Sequence, residues 1–267
     1  MPSFVITGST KGIGFALAKY AISQGHNVAI SGRQDAVVQA AAAKLAAAGK
    51  GQVIGVATDV SDAAQVQALW DQAKAAFGTV DVWINNAGVA YTTHSIVDTS
   101  AKDLRTMVQT NILGTVHGGQ VAARGMLAQG SGRIFSILGG GSDGEYFPGM
   151  GLYGTTKRGL DYFTRALAKE LKDSPVLVGR VRPGMVVTEG VLREIKADPE
   201  NFAKSRKIMN KLCDLPDTVA PYLVEKMLAM PKTGGKIAWL TGGKIAKRML
   251  LGRFREREDL FAVVGVE

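Results

Sequence analysis

Phe4-Val5-Ile6-Thr7-Gly8-Ser9-Thr10-Lys11-Gly12-Ile13-Gly14 is the stretch from which the rest of the chain is read. An apolar strand-like run passes through a Gly-x-x-x-Gly-x-Gly loop into the helix-like segment Ile13 to Ser23. Glycines let backbone N–H groups approach a ligand with no Cβ in the way, and a helix N-terminus adds partial positive charge at the same place. Strand, glycine loop and helix in that order predict a diphosphate cradle made by Gly8, Ser9, Thr10, Lys11, Gly12, Ile13 and Gly14.

Further along, Asn27–Ile30, Val53–Val56, Val82–Ile84, Ile134–Ile137, Val176–Val178 and Ile237–Leu240 are short apolar runs without sustained alternation, as expected of strands buried on both faces. Helix-like segments lie between them: 36–48, 62–77, 102–129, 152–171 and 217–230. Strand alternating with helix predicts an α/β fold in one domain, 1–267: a doubly wound parallel sheet with helices on both faces and its ligand at the strands' carboxyl ends. A length of 267 residues, 46% hydrophobic content and 33 glycines suit such an enzyme and exclude a disordered chain. Thr233-Gly-Gly-Lys-Ile-Ala238 recurs as Thr241-Gly-Gly-Lys-Ile-Ala246, too short a repeat to signal a solenoid.

The second strand ends Ile30-Ser31-Gly32-Arg33, where an acid that would hold an adenosine ribose is missing. Arg33 and Lys11 suit a 2′-phosphate, so NADP(H) is the expected cofactor; the alternative is that Asp35 takes the ribose of NAD(H). The single cysteine, Cys213, excludes an internal disulfide, and the scattered His26, His94 and His117 give no metal-ligand spacing, so no metal is expected. A first strand starting at Ser3 predicts no signal or transit peptide and a cytoplasmic protein. The net charge is +9, yet residues 232–257 alone hold eight basic residues against Glu256, and no nucleic-acid motif accompanies them.

Tyr153-Gly-Thr-Thr-Lys157 opens a helix with Tyr153 and Lys157 one turn apart on one face. An ammonium roughly 4 Å from the phenol, at an effective dielectric near 20, contributes about 4 kcal/mol, which predicts a phenol acidified by some three pKa units and usable as acid and base.

Together these residues resemble the short-chain dehydrogenase/reductase family over nearly the whole chain. The family's glycine motif is matched by Thr7, Gly8, Gly12 and Gly14, its adenine-contacting pair by Asp59-Val60, and its Asn-Asn-Ala-Gly by Asn85, Asn86, Ala87 and Gly88. Asn111, Tyr153 with Lys157, and Pro183, Gly184, Val186 and Thr188 complete the set in order. The resemblance implies a Rossmann-type fold and hydride exchange between nicotinamide and a carbonyl carbon. Tyr153 would exchange the proton, Lys157 hold the ribose, Asn111 anchor a relay water, and Thr188 with the backbone near Val186 hold the carboxamide.

The family's serine, 13 residues before the tyrosine, falls here on Gly140, and Ser142 is the nearest hydroxyl, ahead of Ser136 within the strand. Ser142 is therefore expected as the fourth catalytic residue, worth about 3 kcal/mol toward an oxyanion. The Gly-rich run Leu138–Gly144 before Tyr153, with Cys213-Asp-Leu-Pro and the basic ending near Arg253, resembles the chlorophyll(ide) b reductase branch. That branch implies an NADPH-dependent reduction of the C7 formyl of a tetrapyrrole, a large, flat, apolar aldehyde. A general carbonyl reductase or alcohol dehydrogenase on another apolar substrate, and an NADP(H)-binding redox sensor, remain the competing readings.

Residues 189–215 are expected to cover the substrate as a lid. The arm 241–267, with Ile245, Met249, Leu250, Phe254, Leu260 and Phe261 among basic residues, is expected either to pack on its own or a neighbouring subunit or to touch a membrane surface. The resemblance further implies a homodimer or homotetramer.

Overall fold

A computed structural model describes residues 1–92, 95–252 and 257–266. His94, the arm residues Arg253, Phe254, Arg255 and Glu256, and Glu267 lie outside the described residues.

The chain runs β1 (Ser3–Ile6), α1 (Gly12–Ser23), β2 (Asn27–Gly32), α2 (Asp35–Ala46), β3 (Val53–Ala57), α3 (Ala63–Phe77), β4 (Val82–Asn85) and α4 (Ala101–Met107). A π-helical turn, Val108–Leu113, joins α4 to α5 (Gly114–Gln129). Then follow β5 (Gly132–Ile137), α6 (Gly151–Glu170), β6 (Val176–Arg182), α7 (Glu189–Ala197), α8 (Pro199–Leu212), α9 (Pro216–Leu228), β7 (Lys236–Ala238), α10 (Gly242–Leu251) and α11 (Leu260–Val263). The seven strands form one parallel sheet, ordered β3-β2-β1-β4-β5-β6-β7. The order reverses between β1 and β4, and the crevice for a ligand opens at that reversal.

Both faces of the strands are apolar because both are covered. Phe4 and Ile6 of β1 and Val82 and Ile84 of β4 pack toward α1, α2 and α9, while Val5 and Trp83 between them pack toward α3, α5 and α6. The helices are stopped and started locally: Asp62 accepts from Ala64 N–H at 2.9 Å to cap α3, and Ser100 and Thr188 cap α4 and α7 in the same way. A third, smaller core lies outside the sheet. There Val187, Ile195, Phe202, Cys213 and Phe261 join α7, α8 and α11, with the Phe202 and Phe261 rings edge to face at 4.8 Å.

Two expectations change. The expected helix 102–129 is interrupted by the π-helical turn, and the seventh strand ends at Ala238, one residue before Trp239, whose N–H still donates to Arg182 O at 3.1 Å and whose indole N–H donates to Asp214 at 2.6 Å. The repeated hexapeptide is a coincidence of sequence: Lys236-Ile237-Ala238 is strand and Lys244-Ile245-Ala246 is helix.

Candidate active site

A single cleft of about 2310 Å³ runs along the strands' carboxyl ends. It is lined by the glycine loop, the ends of β2 and β3, the loops after β4 and β5, Tyr153 and Lys157, the segment after β6, and the cap helices α7, α8 and α10.

The glycine loop fits a dinucleotide by close backbone approach. At Gly8, φ +60°, a Cβ would stand 2.7 Å from Ala87 Cα, and at Gly14 it would fall well under 3 Å from Asn86 Nδ2. Asn86 Nδ2 donates to the carbonyls of Thr7 and Gly8, both at 2.9 Å, and Thr7 Oγ1 accepts from the N–H groups of Asn86 and Ala87, both at 3.0 Å. The Asn-Asn-Ala-Gly segment thus braces the loop from below, while Gly8, Thr10, Lys11, Gly12, Ile13, Gly14, Asn86, Ala87 and Gly88 all line the cleft. Ser9 does not. Its fully buried hydroxyl donates to Ile6 O at 2.6 Å and accepts from Ser31 N–H at 3.1 Å, so it ties β1 to β2 instead of meeting a ligand.

At the end of the cleft beside β2 and β3, Gly32, Arg33, Asp59 and Val60 are lining residues, whereas Asp35 accepts from Gln39 Nε2 at 2.9 Å on its own helix and is not among them. Pro183, Gly184, Val186 and Thr188 line the opposite wall.

Tyr153 and Lys157 stand on the first turns of α6. Lys157 is 4% exposed, its Nζ donates to Ile137 O at 3.2 Å, and it lies 5.6 Å from the centre of the Tyr153 ring. Burial acts on both groups in the chain by itself. It pushes the Tyr153 phenol up to about 12 and the Lys157 ammonium down to about 8, the reverse of the acidified tyrosine expected from the spacing. Asn111 sits in the π-helical turn, fully buried; its Oδ1 accepts from Val89 N–H at 2.8 Å and its Nδ2 donates to Val89 O at 2.9 Å and Thr156 Oγ1 at 3.0 Å. The side chain therefore holds the loop after β4 against α6 and does not line the cleft.

Ser142 also departs from expectation. Its hydroxyl is fully buried, has no partner among the described residues and does not line the cleft; Gly139 and Gly140 are the lining residues there. A Cβ on Gly139 would fall well under 3 Å from the Tyr153 hydroxyl, whereas one on Gly140 would point to Met150 and Phe147. The position facing the phenol is thus 14 residues before it, and it carries no side chain.

The cap holds residues to which no motif assigned a role. Glu194 of α7 accepts from Thr92 N–H at 2.9 Å and Thr92 Oγ1 at 2.8 Å, and Arg193 donates to Ala90 O at 2.7 Å, so α7 is latched to the loop after β4. Asp214, 3% exposed, accepts from Arg248 and Arg257 at 2.9 and 3.0 Å as well as from Trp239; its own N–H donates to Met185 O, and its carbonyl accepts from Val187 N–H. The C-terminal arm is folded back on its own chain through this carboxylate. Next to it the Cys213 thiol is pushed up to about 12 by burial, which keeps it unreactive.

The family model for short chain dehydrogenases matches residues 3–199. The chain belongs to that family. Chlorophyll(ide) b reductase NOL, chloroplastic, from Arabidopsis thaliana is 35% identical over 268 residues, covering 96% of this chain and 76% of the relative. Among solved structures, a short-chain type dehydrogenase/reductase from Mycobacterium marinum superposes with a TM-score of 0.79 at 26% identity, covering 91% of this chain and 95% of that one. A short chain dehydrogenase from Burkholderia cenocepacia J2315 in complex with NADP superposes with a TM-score of 0.76 at 27% identity, covering 89% and 95%. The short-chain dehydrogenase is thus an oxidoreductase with a parallel, doubly wound sheet, and its cleft is shaped for a nicotinamide dinucleotide and a small-molecule substrate. Among its described residues no helix is long and apolar enough to cross a membrane.

Proposed function

We propose that the protein is an NADP(H)-dependent reductase that turns an aldehyde on a large, flat, apolar molecule into an alcohol, with the C7 formyl of a chlorophyll(ide) b-type tetrapyrrole as its substrate class. One observation carries the reading: the glycine loop, Tyr153, Lys157 and the apolar cap share one continuous cleft. When bound, the reduced nicotinamide supplies the hydride. The chain's part is placement and protons. Gly8 and Gly12 and the α1 N-terminus would hold the diphosphate, Lys11 and Arg33 the 2′-phosphate, Pro183, Gly184, Val186 and Thr188 the nicotinamide side, and Lys157 the ribose hydroxyls. Tyr153 gives its proton to the carbonyl oxygen as negative charge develops there, and the Lys157 ammonium stabilises the phenolate left behind. Asn111 keeps Val89 and α6 in register beneath them.

Cofactor choice rests on Arg33 and Lys11 in the cleft and on Asp35 being engaged with Gln39. Substrate choice rests on Ile96, Val97, Tyr146, Phe147 and Met185, which line the cleft and yet remain exposed, an apolar mouth open to a broad ligand. The relative named for chlorophyll(ide) b reduction matches nearly the whole chain, cap included. Lys207, Ile208, Lys247, Leu250 and Leu251, exposed on α8 and α10, would offer contact to an anionic membrane surface that holds such a substrate, and α5 and α6 would offer a surface for self-association.

Incubation with NADPH and either chlorophyll b or chlorophyllide b tests the reading: oxidation of the cofactor with appearance of the hydroxymethyl product is expected. Binding of NADPH without turnover of these or of a panel of simple aldehydes favours the redox-sensor reading instead.

A further inference from the structure

The loop between β5 and α6 packs on the turn that carries the tyrosine with almost no side chains between them. Leu138 N–H still pairs with Val181 O at 2.8 Å, then the chain leaves the sheet and folds on itself, Ser142 N–H to Gly139 O at 3.2 Å and Gly144 N–H to Gly141 O at 3.0 Å. Gly141, φ +84°, lies against the backbone of Gly154, where a Cβ would come within 2.6 Å of Gly154 Cα. Two residues earlier, Gly139 lies against the hydroxyl of Tyr153 itself.

Gly139 and Gly141 differ in what they forbid. Gly141 has a left-handed backbone, so any side chain strains it. Gly139 is not among the residues with positive φ, so its backbone admits alanine or serine; what stands in the way is Tyr153, its hydroxyl nearest and by far the tightest, with ring carbons Cζ and Cε1 behind it at 3.0 and 3.2 Å. The space that a side chain at 139 would fill is the space the phenolic oxygen occupies.

We infer that Gly139 is a positioning residue for the proton transfer. By lacking a side chain it admits the Tyr153 hydroxyl to its place over the cleft, and no serine hydroxyl takes part beside it. The inference rests on the catalytic role proposed for Tyr153, but its geometric half does not. In the reaction the proton passes from the Tyr153 oxygen to the carbonyl oxygen as hydride arrives at carbon, so an oxygen displaced by an ångström transfers poorly. Gly139→Ala should push the phenol aside and leave the dinucleotide wall untouched.

A double-mutant cycle tests this in two readouts. With turnover, Gly139→Ala is expected to lower kcat about 100-fold or more while leaving the affinity for NADPH, read from its fluorescence, within about twofold, and Ser142→Ala to keep kcat within about threefold. With thermal unfolding, Gly139→Ala is expected to lower Tm by about 3–10 °C, as overpacking does, and to lower it by less than half as much in the Tyr153→Phe background, where the obstructing oxygen is gone. Equal Tm losses in the two backgrounds, wild-type kcat in Gly139→Ala, or a large loss of kcat in Ser142→Ala each overturn the inference. If wild-type protein reduces no aldehyde, the functional reading has failed, and the Tm cycle still decides whether residue 139 positions the hydroxyl.

Discussion

The floor of the cleft and its roof are built by opposite means. The floor is backbone against backbone: Gly8 on Ala87, Gly14 on Gly8 and Ser9, Gly141 on Gly154, over central strands β1 and β4 whose side chains are buried. The roof is side chain against side chain, a small aromatic core tied down by one buried carboxylate between two guanidinium groups. A floor of this kind tolerates few substitutions but keeps its shape without ligand. A roof of this kind keeps its place through ion pairs and a latch, and such contacts can open while the sheet stays folded.

Four changes to single residues sharpen or break that contrast. The largest effect is expected at the seam between the two: Tyr153→Phe should lower kcat by about 10³-fold or more with NADPH affinity retained, measured by steady-state turnover and fluorescence titration. In the roof, Asp214→Ala leaves Arg248 and Arg257 facing each other without their carboxylate. A loss of about 3–5 kcal/mol is expected, seen by hydrogen exchange as deprotection of 241–252 and 257–266 with β1 to β6 still protected. Uniform deprotection of sheet and cap would mean that roof and floor are one cooperative unit. In the floor, Arg33→Ala should raise the KM for NADPH by about 10- to 100-fold and leave that for NADH unchanged, corresponding to roughly 1.5–3 kcal/mol for a charge-assisted contact. Smallest is Asp62→Ala, which removes the cap of α3 and should move the denaturant midpoint slightly downward without touching kcat.

Changing pH tests the seam as well. Lys157 binds its proton less tightly in the folded chain, about 8, than unfolded, near 10.5, so between those values the unfolded state holds more protons and stability rises with pH. Tyr153 keeps its proton to about 12 when folded but loses it near 10 when unfolded, so its contribution falls as pH rises above 10. The cofactor-free protein should therefore grow more stable from about pH 8 to 10, by up to about 1.4 kcal/mol per pH unit, and Lys157→Met should flatten that slope in pH-resolved melting curves.

Much of the floor was legible in the sequence because its constraints are local. A glycine loop between an apolar strand and a helix, and strands apolar on both faces, each declare themselves within ten residues. Ser9 was misread because spacing alone does not tell which loop residues turn inward to join β1 and β2. The break at Asn111 was missed because Gly114, which closes it, is a single glycine in a long helical pattern; the break goes with hydrogen bonds to Val89, 22 residues away. The tyrosine's acidity was misjudged because spacing reports the nearby charge and not the burial of both groups. The roof was the least legible part. Nothing local distinguishes Asp214 from a surface aspartate, since its partners arrive from residues 239, 248 and 257. Gly139 was hidden by a count of 13 that pointed one residue too far along.

The Asp214 clamp also has a bearing on how the protein is handled. Arg257 and Phe261 lie close to the end of the sequence, and they reach back to the segment after β6 that lines the cleft. A protease nick between Thr241 and Arg248 would sever the clamp from the sheet while leaving β1 to β6 whole, so the preparation would still purify and scatter light as a folded protein with that segment unseated.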